Sequence, residues 1–401
     1  MTHSHKSQDP RPATELEVQT LLAEVDRAFA AKPFQPHPLF TNGHAQTLAG
    51  YAWPRRFRLR ALESDEERLF EVEPGIRVLA HCRWQDNRGD QPTIVLWHGI
   101  EGSSISIYML GTAAKAFRAG FNVVRMNLRN CGGTEHLTPT LYHAGLTEDL
   151  RVVIDELITR DRLSRIFLVG FSLGGNMVLK LAGEYGENPP QEVSGVCTVS
   201  PSVDLSASSQ LIGERRNWIY HHNFVTRLQR RVDFKKDLYP DLYEPESLPI
   251  ARTLREFDER YTAPAFGFAG VDDYYAKASS LPLVGRIRIP TLIIHAQDDP
   301  FIPFAPLRDP SIAANPYILL IAPPRGGHVA FVAASSRADS AEPDADSDES
   351  EGLAEDRFWA ENRVVEFCKL AEVGGRRSEV RSLRSEVRGQ RSEVRSRVSE
   401  V

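Results

Sequence analysis

Short apolar runs alternate with stretches of helical periodicity along most of this chain. The runs are rich in valine, isoleucine and leucine, which is typical of parallel strands that are buried on both faces of a sheet. The predicted strands are Leu69–Val72, Ile76–Trp84, Thr93–Trp97, Asn122–Met126, Ile166–Val169, Val193–Val199, Thr291–His295 and Tyr317–Ile321. The predicted helices include Thr14–Ala31, Ile107–Ala119, Leu146–Thr159, Met177–Tyr185 and Arg357–Ala371. The alternation predicts an α/β fold in which helices flank a mostly parallel central sheet.

Two regions interrupt this alternation. Residues 202–283 show no clear strand but contain an aromatic, helix-prone run, which predicts a helical cap inserted over the site. Residues 335–356 have little apolar content, which predicts a disordered acidic surface loop. The chain therefore divides into a polar leader with one helix over residues 1–36, a main domain over 37–373 that carries both interruptions, and a tail over 374–401.

The tail repeats Arg-Ser-Glu-Val-Arg with a period of seven residues, starting at residues 377, 384 and 391. A coiled coil needs two apolar rows that persist over several heptads. Valines form one row, but the second row contains leucine, glutamine and arginine. The repeat therefore predicts a low-complexity tail and not a coiled coil.

The net charge of −6 hides two opposite contributions. Residues 335–356 contain nine acidic residues and one arginine, whereas residues 375–401 contain eight arginines and four glutamates. The rest of the chain thus carries a net charge of about −2. Since a nucleic-acid partner requires a basic face, this distribution argues against one.

Cysteine usage and hydropathy point to a cellular compartment. The four cysteines are far apart, match no metal-binding spacing and lie mostly in apolar surroundings, which predicts reduced core residues. The first twelve residues are polar and no apolar run follows them, so we expect no signal peptide. No stretch approaches the roughly 18 apolar residues of a membrane span. We therefore expect a cytoplasmic protein with no integral membrane segment and no bound metal.

One predicted strand runs directly into a serine-bearing turn and then into a helix. The turn reads Gly170-Phe171-Ser172-Leu173-Gly174, and Gly-x-Ser-x-Gly in this context is the pattern of the α/β-hydrolase nucleophile elbow. A serine becomes an effective nucleophile when it is exposed on a strained bend beside a histidine, with a helix N-terminus below it. We therefore predict an α/β-hydrolase fold with Ser172 as the nucleophile.

The acid and the base of such a site should follow the serine in that order. Strand Thr291–His295 is followed by Asp298 and Asp299, and the next strand is followed by a Gly-Gly-His sequence that ends at His328. Both segments reach the carboxyl edge of the sheet, where ligands bind in open α/β folds. His328 is therefore predicted as the general base. One aspartate is enough to orient it. We favour Asp299, three residues beyond Ala296 at the strand end, and interpret Asp298 as a solvated or loop-capping carboxylate.

The loop after strand Thr93–Trp97 predicts an oxyanion hole. It begins with His98-Gly99-Ile100-Glu101-Gly102. In this fold one N–H donor belongs to the residue after the nucleophile, and the other belongs to this loop. We therefore predict the N–H groups of Leu173 and Ile100 as the two donors, and we expect His98 to shape the loop.

Three further patterns carry less information. The glycines around Ser172 lack the Gly-x-Gly-x-x-Gly spacing of a dinucleotide site. Cys131 lies in a glycine-rich turn without a histidine nearby in sequence, and His143 and Asp149 miss the spacing of an acyltransferase His-x4-Asp box. No cofactor is predicted.

Several long blocks resemble the YheT-like branch of the α/β-hydrolase superfamily, which includes bacterial esterases and eukaryotic medium-chain ester hydrolases and ester synthases. The resemblance spans about residues 36–372, and it implies a serine esterase or lipase-like enzyme that acts on short- or medium-chain acyl esters. It also implies a triad of Ser172, Asp299 and His328. The acidic insertion after His328 and the repeated tail depart from the family pattern. The matching blocks are His37–Thr47, His98–Gly102, Arg125–Gly133, the serine elbow, Phe266–Tyr275 and Pro290–Asp299.

We therefore expect hydrolysis of a small-molecule carboxylic ester through an acyl-enzyme on Ser172, with no metal or organic cofactor. An alternative of the same class is transfer of the acyl group to an alcohol, as in an ester synthase. An alternative of a different class is a non-catalytic α/β-hydrolase that only binds its ligand. Such a protein should have lost a triad residue, and here all three are present.

Overall fold

The computed structural model describes residues 14–53, 55, 65–243, 250–334 and 355–375. Three predictions fall wholly or mostly outside these ranges. They concern the polar leader before residue 14, the acidic loop over residues 335–354, and the repeated tail beyond residue 375.

An eight-stranded sheet forms the centre of the described part of the chain. Its strands are β1 Glu66–Glu73, β2 Ile76–Arg83, β3 Thr93–Trp97, β4 Asn122–Met126, β5 Ile166–Phe171, β6 Val193–Val199, β7 Thr291–Ile294 and β8 Ile318–Ile321. Their spatial order is β1-β2-β4-β3-β5-β6-β7-β8. β2 is antiparallel to β1 and to β4, and every other neighbouring pair is parallel. The mostly parallel sheet predicted from the sequence is confirmed, with strand ends that differ by up to three residues.

Helices flank the sheet on both faces. They are α1 Glu15–Ala30, α2 Gly43–Ala52, α3 Ile107–Arg118, α4 Thr147–Thr159, α5 Leu173–Tyr185, α6 Leu205–Ile212, α7 Trp218–Leu238, α8 Leu254–Phe257, α9 Ala263–Ala265, α10 Val271–Ala278, α11 Pro310–Ala313 and α12 over residues 359–375. Alternate strand residues enter two separate apolar clusters, because successive side chains of a strand point to opposite faces. One cluster includes side chains of α4 and α5, and the other includes side chains of α1, α3 and α12.

Helices α6 to α10 lie between β6 and β7, in the segment predicted as a cap, and none of the residues described there belongs to a strand. They have an apolar cluster of their own, to which α7 contributes Val225, Leu228 and Val232. Phe301 and Ile302, which follow β7, are buried in the same cluster. These helices therefore pack against the loop that carries Asp298 and the predicted acid Asp299.

The cysteines and the helix lengths agree with the composition. Cys82, Cys197 and Cys368 are buried and free, as predicted, and Cys131 in the turn after β4 is buried and free as well. Within the ranges that the structure covers, every helix is too short or too polar to cross a lipid bilayer.

Candidate active site

Ser172 occupies a strained bend between β5 and α5. Its backbone has φ 54° and ψ −117°, a conformation that is rare for a residue with a side chain and that clusters at functional sites. A Cβ added at Gly170 would lie 2.3 Å from the Gly174 carbonyl oxygen, and one added at Gly174 would lie 2.5 Å from that of His98. Both positions therefore need glycine, which explains the spacing of the motif.

The predicted acid Asp299 and the predicted base His328 are in contact. His328 Nδ1 lies 2.8 Å from Asp299 Oδ2, and the Asp299 side chain is fully buried. The other carboxylate oxygen, Oδ1, accepts hydrogen bonds from the N–H groups of Phe301 and Ile302, at 2.8 and 3.0 Å. Three donors thus fix the Asp299 carboxylate, and one of them is the imidazole.

The charge state of Asp299 follows from these contacts. Burial alone would raise the pKa of the Asp299 carboxyl. The neighbouring charge of His328 and its hydrogen bond outweigh burial and hold this pKa below its usual range. An ionised carboxylate fixes the Nδ1–H tautomer of the histidine, which leaves Nε2 free to accept a proton.

Asp298 serves the backbone of the histidine loop. Its Oδ1 accepts a hydrogen bond from the Gly327 N–H at 3.0 Å. The next N–H along the chain, that of His328, donates to Thr47 Oγ1 at 2.9 Å. Thr47 belongs to α2, far away in sequence, and no local pattern points to its role. Together Asp298 and Thr47 anchor the backbone that carries the imidazole.

The glycine-rich loop after β3 lies directly against Ser172. A Cβ added at Gly99 would lie 3.0 Å from Ser172 Cβ and 3.5 Å from Ser172 Oγ. The N–H groups of Ile100 and Leu173 have no hydrogen-bond partner among the residues that the structure describes. Unpaired donors on either side of a serine can stabilise a developing oxyanion.

His98 shapes this loop, as expected. It is fully buried, and burial lowers the pKa of its imidazole to about 4, so the ring is neutral. His98 Nδ1 lies 2.7 Å from the Gly99 carbonyl oxygen, and His98 Nε2 accepts a hydrogen bond from the Leu128 N–H at 3.1 Å. The ring thus ties the loop after β3 to the loop after β4.

A cavity of about 90 Å³ opens beside Ser172, beneath the helices between β6 and β7. Ile100, Leu173 and Ser172 reach it from the sheet side. Apolar side chains dominate the remaining wall, together with a few polar groups. Lining residues from the helices include Leu205, Ile212, Leu228, Arg231, Leu254 and Asp258.

The environments of Cys131 and His143, two candidate reactive residues in the sequence, do not favour nucleophilic chemistry. Cys131 is fully buried, and burial raises the pKa of its thiol to about 12, so it stays protonated near neutral pH. His143 lines the cavity, but burial lowers its pKa to about 3 and its ring packs against Phe266, Phe268 and Tyr274.

Comparisons with known proteins identify the family of this chain. The family model for the alpha/beta hydrolase fold matches residues 92–333. The chain is 31% identical over 324 residues to YheT of Escherichia coli K12, which carries a provisional esterase name; the match covers 78% of this chain and 91% of YheT.

Two eukaryotic relatives match over a smaller share of their length. A Saccharomyces cerevisiae protein named medium-chain fatty acid ethyl ester synthase/esterase 2 is 32% identical over 289 residues, 65% of this chain and 63% of that protein. Human phospholipase ABHD3 is 30% identical over 243 residues, 60% of this chain and 59% of the relative.

Proposed function

This chain belongs to the α/β-hydrolase family, in the esterase- and lipase-type branch that includes YheT, and we propose that it cleaves short- or medium-chain acyl esters through an acyl-enzyme on Ser172. One observation carries the proposal. Ser172 lies on a strained bend and lines a cavity together with Ile100 and Leu173, whose N–H groups are unpaired within the described ranges.

The proposed reaction has two halves. In the first, Ser172 Oγ attacks the ester carbonyl carbon while His328 Nε2 takes the hydroxyl proton, and the oxyanion binds the N–H groups of Ile100 and Leu173. The C–O bond to the alcohol then breaks, and His328 returns the proton to the departing alcohol. In the second half, His328 takes a proton from water, whose oxygen attacks the acyl carbon. The bond from that carbon to Ser172 Oγ then breaks, and His328 returns the proton to Oγ, which releases the carboxylic acid and restores the free serine. Asp299 stabilises the imidazolium in both halves.

The test is covalent labelling of the full chain with a fluorophosphonate, followed by mass spectrometry of the labelled peptide. We expect one adduct, on Ser172, and we expect Ser172→Ala to lose on the order of 10⁶-fold in turnover. A folded protein with no adduct on Ser172 would refute the proposal and favour a protein that only binds its ligand.

The cavity supports a limit on acyl length. Its wall is mainly apolar, which suits an acyl chain, and its volume of about 90 Å³ is small against the several hundred Å³ typical of ligand pockets, which argues against long chains. A series of p-nitrophenyl esters from acetate to palmitate tests this limit. We expect kcat/KM to peak at a short or medium chain and to fall steeply towards palmitate, and a maximum at palmitate would contradict the proposed substrate class.

Transfer of the acyl group to an alcohol is a second candidate. It is favoured by the 32% identity to the yeast protein whose name includes ethyl ester synthase. Both reactions share the acyl-enzyme and differ in the acceptor that releases it. Product ratios with and without added ethanol separate them, because a synthase forms ethyl ester in preference to free acid.

A further inference from the structure

The residue after the predicted oxyanion donor has an unusual backbone. Glu101 follows Ile100 directly and has φ +53°, in the left-handed region that non-glycine residues rarely adopt. Its N–H donates to Tyr142 Oη at 3.0 Å, and Tyr142 Oη lies 3.0 Å from Glu101 Oε1. Tyr142 thus contacts both the backbone and the side chain of Glu101. The Ile100 N–H belongs to the preceding Gly99–Ile100 peptide, so the hold on Glu101 reaches this N–H through the backbone of Ile100.

The cap helix α7 supplies the other partner of Glu101. Arg231 Nε donates to Glu101 Oε1 at 3.0 Å, and Arg231 Nη2 donates to Glu101 Oε2 at 2.8 Å. This two-pronged geometry fixes orientation as well as distance. The side chains of Glu101 and Arg231 are only 4% and 11% exposed, so solvent screens the pair weakly. Arg231 Nη1 also contacts the Asn130 carbonyl oxygen and Glu135 Oε1.

We propose that Arg231 and Glu101 are a positioning pair through which the cap sets the oxyanion hole. The inference rests on the proposed function. Arg231 lines the same cavity as Ile100 and Ser172, so a substrate in that cavity lies against the helix that holds the oxyanion loop. With α7 seated, Glu101 is clamped between Arg231 and Tyr142, and the Ile100 N–H points to one place. Without Arg231, the left-handed turn at Glu101 loses one of the two side chains that hold it.

A purely structural role for Arg231, as a tether of the cap, predicts a different outcome, and the chain offers a matched control. Lys235 lies one turn further along α7 and is fully buried. Its Nζ donates to the carbonyl oxygens of Glu135 and Thr138. Lys235 therefore ties the same helix to the same loop that Arg231 reaches, but within the described residues it makes no hydrogen bond to the Gly99–Gly102 turn.

The experiment compares Arg231→Gln, Glu101→Gln, their double variant and Lys235→Met. The readouts are the melting temperature, kcat and KM on p-nitrophenyl butyrate, and the Ki of a trifluoromethyl ketone, which binds serine hydrolases as an oxyanion. For Arg231→Gln we expect kcat to fall by about 10–10²-fold, since one oxyanion donor contributes about 10²–10³-fold. We expect KM within about threefold of the original value, because the lost interaction is made in the transition state. The Ki for the ketone should rise in step with the loss in kcat/KM.

The control variant and the double variant define the results that would contradict the inference. Lys235→Met should lower the melting temperature while kcat and the ketone Ki stay near their original values. If Lys235→Met and Arg231→Gln lose kcat equally, or if Arg231→Gln keeps its kcat, the inference is overturned. The double variant should lose no more than the worse single variant, and multiplicative losses would also overturn the inference.

Failure of the proposed function looks different from failure of this inference. An unchanged chain that neither hydrolyses esters nor labels at Ser172 contradicts the proposed function. An active, labelled enzyme whose Arg231→Gln variant behaves like Lys235→Met contradicts the positioning pair alone. Glu101→Gln keeps the shape of the side chain, so a loss of activity in this variant is not explained by misfolding. We expect its kcat to fall less than that of Arg231→Gln, again with little change in KM.

Discussion

Replacing Asp258 by asparagine should stabilise the protein at neutral pH. Asp258 begins a turn of π-helix over Asp258–Thr262 and lines the cavity beside Ser172. Its carboxylate accepts hydrogen bonds from Thr262 Oγ1 at 2.7 Å and Tyr275 Oη at 2.8 Å. In the part of the chain that the structure describes, no basic side chain pairs with it. Burial therefore raises the pKa of Asp258 to about 6.

The sign and size of the effect follow from linkage. The unfolded chain titrates this group near 3.8, whereas the folded protein titrates it near 6. The folded state thus binds the proton more tightly, and stability falls as pH rises from about 4 to about 6. The full difference corresponds to about 3 kcal/mol. Since Asp258 is only half-buried, water in the cavity screens part of this cost, and we expect the asparagine variant to gain about 1–3 kcal/mol at pH 8.

Asparagine should fit the site without an orphaned group. The two partners of Asp258, Thr262 and Tyr275, are both hydroxyls, so either can turn and accept a hydrogen bond from an amide. The variant therefore resembles the protonated acid, and its advantage should shrink to about a third at pH 4.5, where the aspartate of the unfolded chain is still largely ionised.

Urea unfolding of both proteins at pH 4.5 and pH 8 measures this difference. Half-buried Asp273 gives a control of opposite sign, because its hydrogen bond from Lys277 lowers its pKa. We expect Asp273→Asn to lose stability at pH 8. An Asp258→Asn variant that is less stable than the original at pH 8, or whose advantage is independent of pH, would refute the reasoning.

Two further substitutions and one labelling experiment have defined outcomes. Asp299→Asn should lower kcat by about 10³–10⁴-fold through loss of the histidine tautomer, with little change in melting temperature; ester hydrolysis within tenfold of the original would contradict it. Gly174→Ala places a Cβ 2.5 Å from the His98 carbonyl oxygen, so it should lower the free energy of unfolding, measured in urea, by about 1–3 kcal/mol. Gly89→Ala is the control: its Cβ would have no atom within 4 Å, and the free energy of unfolding should hardly change. Cys131 should resist iodoacetamide at pH 7.5 in the folded protein and react in urea, and rapid labelling of the folded protein would show that its thiol is accessible.

The sequence predicted the sheet well because parallel strands are short, continuous apolar runs. β3, β4 and β6 begin and end where the runs do. Helix α2 was missed, because its sequence GHAQTLAGYA carries no amphipathic stripe. One local signal could have found it: the Asn42 side chain caps the helix by accepting a hydrogen bond from the Ala45 N–H at 2.9 Å.

The same division holds at the candidate site. Strand ends, residue order and a Gly-x-Ser-x-Gly turn are local features, and they brought Ser172, Asp299 and His328 to attention. The contact of Thr47 with the His328 backbone joins residues 281 positions apart, and that of Arg231 with Glu101 joins residues 130 positions apart. Such contacts cannot be predicted from a periodicity or a motif, since they depend on how helices that are distant in sequence pack at the edge of the sheet.

The dependence of the His328 loop on α2 bears on where this protein can be cut. A Cβ added at Gly43 would lie 1.9 Å from the Asp298 carbonyl oxygen, so the start of α2 and the acid loop are in direct backbone contact. A protein trimmed to residues 92–333 would keep all five predicted site residues and the part of the chain most easily recognised by similarity. It would also lose α2, two strands of the sheet and α12. The part of the chain that similarity recognises and the part that is needed for folding therefore have different boundaries.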